Sequence, residues 1–150
     1  MISKITVPNT TFPGLALTQK DFRMNFCINC GSKSLPEEVP IFCSDSLDQQ
    51  MDEVTSLHME ELLELDAVKR TVYLPKVCTW YLQDFVSSKL IAHPAPIDCL
   101  RTISHYTRGE KRSLLVKMLT DTTGPPSIKF KQYSYRCRTI VELKTTTDFV

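Results

Sequence analysis

The feature that most constrains this chain is the amphipathic stretch 46–64. Leu47, Met51, Val54, His58, Leu62 and Leu65 fall three and four residues apart, which draws one apolar stripe along a helix. Asp52, Glu53, Glu60, Glu61 and Glu64 lie mostly off that stripe. Such a helix gains most of its stability by burying its stripe, so the rest of the chain has to supply a surface that covers it. Ser46 with Gln49 fits a capping box, and Asp45, Asp48 and Asp52 sit on the favourable side of the helix dipole.

The covering elements can be read on both sides. Met24, Phe26 and Ile28 alternate with Asn25, Cys27 and Asn29, which predicts a central strand over 23–29. Gly31, Ser32, Ser34 and Pro36 make a loop. Thr71–Leu74 reads as a short strand. Pro75 can open a helix over 76–86, where Trp80 and Phe85 are expected to anchor the core. Pro96 can start a helix over 97–107, and Gly109 breaks it. A basic helix follows at 110–119, with Leu114, Leu115, Met118 and Leu119 inward and Lys111, Arg112 and Lys117 outward. Gly124-Pro-Pro126 is a firm break, after which Ser127–Tyr133 and Tyr135–Leu143 alternate as a hairpin. The fold class is therefore α+β: a small, mostly antiparallel sheet with packed helices.

Three motifs, taken in order, resemble the second half of the domain of unknown function 547 family. The first matches at Asp21, Arg23, Phe26, Cys30, Gly31, Ser34 and Pro36. The second matches at Leu47, Asp48, Gln50 and Asp52, and the third at Leu74, Pro75, Lys76, Trp80, Tyr81, Asp84 and Phe85. The resemblance implies a division into a lead-in 1–20, a family segment 21–86 and a C-terminal extension 87–150. It further implies a truncated papain- or transglutaminase-like fold. There, residue 25 would be a catalytic His and the nucleophilic Cys would lie on an upstream helix outside these residues. This chain departs from the family pattern at two positions. Asn25 cannot act as a general base, since its amide does not titrate, and Leu35 stands where the family has a second Cys. The family also occurs beside DEP and glutaredoxin-like domains, which implies a fragment of a larger signalling-type protein.

The candidate positions are accordingly Asn25, Cys30, Gly31, Ser34, Trp80 and Asp84, with no catalytic set among them. Asp84 could orient a His, or pair with Arg23 or Lys76. Cys27 and Cys30 have redox spacing, but a strand would aim them to opposite faces. No paired His spacing completes a zinc site, so neither metal nor cofactor is expected. His58, on the apolar stripe, reads as a buried neutral histidine. Lys plus Arg is 18 against 17 Asp plus Glu, which gives no pull toward nucleic acid or membrane. The basic C-terminal third is expected to be solvated or to contact the acidic helix. No apolar run spans a bilayer and the start is too polar for a signal peptide, so a cytoplasmic setting is expected. The function expected is a non-catalytic interaction or scaffolding module with a protein partner. The alternatives are a cysteine-hydrolase or transamidase-like enzyme and a thiol-redox module.

Overall fold

The computed structural model describes residues 20–86 and 93–138. The lead-in 1–19, most of the expected strand 135–143 and the terminal residues 145–150 lie outside the described residues.

The architecture is α+β. In chain order it runs α1 (Met24–Cys27), a 3-10 turn (Ser44–Ser46), α2 (Leu47–Leu62), β1 (Glu64–Asp66) and β2 (Thr71–Leu74). Then come α3 (Val77–Trp80), a 3-10 turn (Leu82–Phe85), α4 (Pro96–Ser104), α5 (Gly109–Thr120) and β3 (Ser127–Phe130).

α2 is the central support, but its buried face differs from the expected stripe. Met51, Thr55 and Met59 form an i, i+4 row continued by Leu63, with Ser56 and His58 beside it, while Leu47 is exposed. Thr55 is tolerated there because its hydroxyl donates to the Met51 carbonyl at 2.7 Å. The expected Ser46–Gln49 capping box does not form. Instead, the side chain of Gln50 accepts from the Cys43 N–H at 2.8 Å. At the other end, carbonyls of the last turn accept from side chains far along the chain. Lys111 Nζ donates to the carbonyls of Met59 and Glu60, and Lys131 Nζ to that of Leu62. Both ammonium groups also suit the negative end of the helix dipole. Lys111, expected to face outward, thus turns inward for a local electrostatic reason. Arg108–Glu53, Lys111–Glu60 and Lys131–Glu64 ion pairs join the basic third to the acidic helix.

The sheet is mixed rather than mostly antiparallel. β1 pairs antiparallel with β2, Leu65 opposite Val72, and β2 pairs parallel with β3, Val72 opposite Ile128. β3 joins β2 across a helical crossover, the connection that parallel strands require, while most of the second strand of the expected 127–143 hairpin lies outside the described residues. As the central strand, β2 buries Val72 and Leu74.

Two further expectations are corrected. Residues 23–29 are not a strand. Asp21 accepts from the Arg23 N–H at 3.0 Å, starting the short helix α1 and leaving Ile28 exposed. The helix expected at 76–86 breaks at Tyr81, where backbone angles of φ −116 and ψ 29 admit only a 3-10 turn afterwards. Phe85 then points into the core, whereas Trp80 is 44% exposed and anchors nothing there. The core is built from Phe26, Met59, Leu63, Val72, Leu74, Phe85, Leu100, Ile103 and Leu115.

Candidate functional site

The six candidate residues fall into two places. Asn25 and Asp84, far apart in sequence, meet where α1 faces the 3-10 turn. Asn25 Nδ2 donates to Asp84 Oδ2 at 3.3 Å and to the Phe22 carbonyl at 3.1 Å. The other carboxylate oxygen of Asp84 faces Lys20 Nζ at 3.4 Å, so neither Arg23 nor Lys76 is its partner. Residue 25 thus stands in hydrogen-bond reach of a carboxylate, the relation in which an acid orients a base. Asn25 is an amide and does not titrate, so the pair itself moves no proton. The nearest thiol in sequence is Cys27. Cys27 Sγ donates to the Arg23 carbonyl at 3.4 Å, and burial, then the Asp21 carboxylate, pushes its pKa up.

Arg23 builds the floor of this region. Its guanidinium forks onto Asp21, Asp48 and Asp52, each at 2.6 Å, and so ties α1 to the first turns of α2. Hydrogen bonding to Arg23 holds the Asp21 carboxyl below its ordinary range.

The second place collects Cys30, Gly31, Ser34 and Trp80 around Tyr133. Gly31 has φ +72, a left-handed conformation that glycine adopts without strain, and its N–H donates to Asn29 Oδ1 at 2.9 Å. No atom crowds a Cβ there, so the conformation, not close approach, is what suits glycine. The turn lets the loop double back along residues 131–138. Lys33 N–H donates to the Arg136 carbonyl at 3.1 Å and Arg138 N–H to that of Gly31 at 2.9 Å. Ser32 Oγ donates to the Ser134 carbonyl at 2.6 Å, and the Ser134 N–H donates to Ser34 Oγ at 2.7 Å. Ser34 is therefore a clasp between two loops.

On that clasp stands an aromatic row. Trp80 and Tyr133 meet edge to face at 4.9 Å, and Tyr133 and Tyr135 do so at 5.1 Å. Cys30 is exposed, with Sγ 3.3 Å from Tyr133 Oη. A hydrogen bond from Tyr133, followed by the Ser32 backbone N–H, lowers the Cys30 pKa. Tyr133 moves the opposite way, through burial first and then Cys30. The two shifts agree with a phenol that donates to a thiolate. Cys27 closes α1 rather than opening a helix, so the 27/30 spacing lacks the helix start that lowers a redox thiol's pKa.

Sequence reasoning missed Tyr133 and Tyr135, although their separation by two residues already puts them on one face of an extended segment. Among the described residues no group of three or more His, Cys, Asp or Glu could hold a metal ion, and no helix is long and apolar enough to cross a membrane. Compared with family models, with curated proteins and with solved structures, the chain finds no match in any of the three.

Proposed function

We propose that this chain is a non-catalytic protein-interaction module, set in the cytoplasm and related to the domain of unknown function 547 family through residues 21–86. The observation that carries the reading is the row Trp80–Tyr133–Tyr135, exposed at both ends and half-buried at its middle ring. Tyr135 is 80% and Trp80 44% exposed, and Tyr81 beside them is 48% exposed. Trp and Tyr are enriched among the residues that carry binding energy at protein interfaces. Large rings left in water at one place are more informative than scattered apolar residues. The Asn25–Asp84 pair supports the non-catalytic half of the proposal, since the position that would be a base cannot titrate.

A photo-crosslinking amino acid placed at 80 or 135 tests this in cells expressing the protein. A discrete protein adduct from both positions, absent when the same group replaces Val68 in the exposed β1–β2 turn, is the expected result. No adduct, or the same adducts from all three positions, refutes it.

One observation favours a second reading, a thiol-dependent activity at Cys30: the exposed sulfur lies 3.3 Å from Tyr133 Oη, a hydrogen bond that lowers its pKa. Alkylation rates separate the two. If Cys30 reacts no faster than exposed Cys43 and Cys137, the second reading fails.

A further inference from the structure

The shape of the row Trp80–Tyr133–Tyr135 narrows what can lie on it. Successive centroids are 4.9 and 5.1 Å apart, so the two outer rings lie no more than about 10 Å from each other. Neighbouring planes are tilted by 63° and 66°, which leaves a notch at each junction rather than a flat plate. A polyproline II helix rises about 9 Å per three-residue turn, so prolines three residues apart return to one face at that spacing. Aromatic-lined grooves are the surfaces on which such helices dock. The middle ring makes the floor: Tyr133 is half-buried, and its hydroxyl is 3.3 Å from Cys30 Sγ.

The outer rings keep their polar atoms free. Neither Trp80 Nε1 nor Tyr135 Oη bonds to a described residue. A polyproline II backbone has no internal hydrogen bonds, so its carbonyls are available to accept from both. The charge nearby has one sign. Lys33, Lys76 and Lys131 line the cavity that Tyr133 also lines. Lys76 stands one turn before Trp80, whose backbone N–H reaches the Lys76 carbonyl at 3.4 Å. Lys131 is paired with Glu64, whereas Lys33 and Lys76 form no ion pair with any described residue. A segment lying along the row therefore passes unpaired cations, and acidic residues on its flanks complement them.

We propose that the row binds a proline-rich segment of another protein, in polyproline II conformation and flanked by acidic residues. Two prolines three residues apart pack on Trp80 and Tyr135, a backbone carbonyl between them accepts from Trp80 Nε1, and the acidic flank faces Lys33 and Lys76. So small a patch favours a segment whose bound shape is already formed, because little ordering entropy is then lost on docking. The inference rests on the protein-interaction reading and names the class of partner for the same rings.

Trp80 is the only tryptophan of the chain, so its fluorescence reports on the row directly. The test titrates the whole chain with the peptide Asp-Asp-Pro-Leu-Pro-Pro-Leu-Pro-Asp-Asp. One control peptide carries alanine for every proline, and a second carries lysine for every aspartate. Expected is a saturable blue shift of Trp80 emission with the first peptide. The alanine peptide should bind at least about tenfold more weakly, and the lysine peptide about threefold or more. Tyr135→Ala changes a ring that is 80% exposed, so it should keep the unfolding midpoint and weaken the first peptide about tenfold. The proposal is overturned if Trp80 emission does not respond, or if either control peptide or Tyr135→Ala leaves affinity unchanged. Emission of the free protein that changes on dilution would assign the row to a second copy of the chain, and also overturns it. Crosslinks from 80 and 135 beside an unresponsive Trp80 overturn this proposal alone and leave the interaction reading standing.

Discussion

Arg23 is the residue at which one substitution should reveal most about how this molecule holds together. Its side chain is only 15% exposed, and it faces Asp21 at 26%, Asp52 at 51% and Asp48 at 82% exposure. These exposures rank the three interactions. The two exposed pairs are worth about 0.2–1 kcal/mol each. The Asp21 pair is sheltered and made through both Nε and Nη2, so it belongs with charge-assisted bonds of about 1.5–3 kcal/mol. Arg23→Met keeps much of the buried stem and removes the fork. It also leaves three carboxylates facing one another. A loss of about 2–5 kcal/mol follows, equivalent to a Tm lowered by about 4–20 °C in a chain of this size. Arg23→Lys keeps the charge without the planar fork and should fall between.

The pH dependence supplies the sharper test. The carboxyl of Asp21 has its pKa lowered below 3.8 in the folded protein, by the hydrogen bond from Arg23 first. A depressed carboxylate pKa contributes stability that is present above its unfolded value and disappears as pH falls through the folded value. The gap between Arg23→Met and the parent chain should therefore be full at neutral pH and shrink below pH 3.8. Urea denaturation followed by far-UV circular dichroism measures it. A variant within about 0.5 kcal/mol of the parent at neutral pH, or a gap that persists unchanged in acid, refutes the ranking above.

Three further outcomes are expected. Tyr133→Phe removes the donor to Cys30, so the thiol pKa should rise and iodoacetamide labelling of Cys30 near neutral pH should slow about three- to tenfold, read by mass spectrometry. Asn25→Asp replaces the amide donor to Asp84 with a second carboxylate. One of the two then titrates above its unfolded value, so a penalty of about 1–2 kcal/mol should appear as pH rises through that pKa and vanish in acid, as denaturation at two pH values would show. Leu100→Ala empties a fully buried position in α4 and should cost about 2–5 kcal/mol, checked by its urea midpoint at an unchanged slope.

The parts legible in the sequence are those whose signal is local and long. Strand β2 is read at its observed limits, and α2 and α5 to within two residues, because three or four turns repeat the pattern enough to fix the period. Segment 23–29 shows the opposite. Met24, Phe26 and Ile28 satisfy a period of two, yet a single turn of helix cannot show a period of 3.6 in so few residues. What decides between them is Asp21 bonding to Arg23, an interaction that alternation ignores. The exposure of Trp80 was hidden for a related reason. Its helix looks continuous to Phe85, and the break at Tyr81 turns Trp80 outward while Phe85 goes in. Parallel pairing of β3 with β2 could not be read at all, since strand register across a long crossover is set by tertiary packing. Asn25 and Asp84 were each singled out, and their contact is a gain of the fold alone.

Residues 131–138 explain why the aromatic row sits where it does. They contain no regular element, yet several of their polar groups reach different neighbours. Lys131 N–H donates to the Leu74 carbonyl at the end of β2, and its ammonium caps α2. Ser134 and Arg136 hold the loop of Gly31, and Arg138 donates to the Leu35 carbonyl at 2.7 Å and pairs with Glu37. Tyr133 is fixed between these anchors, where it meets Trp80 on one side and lines a cavity with Leu35 and Leu62 on the other. An aromatic row mounted on loop-to-loop hydrogen bonds loses its order when one anchor goes, because no ladder of its own holds it. Ser34→Ala removes one anchor, the acceptor for the Ser134 N–H, without changing any ring of the row. It should therefore weaken crosslinking at 80 and at 135 together. A loss at one position with the other intact would show that this anchor does not hold the row as a unit.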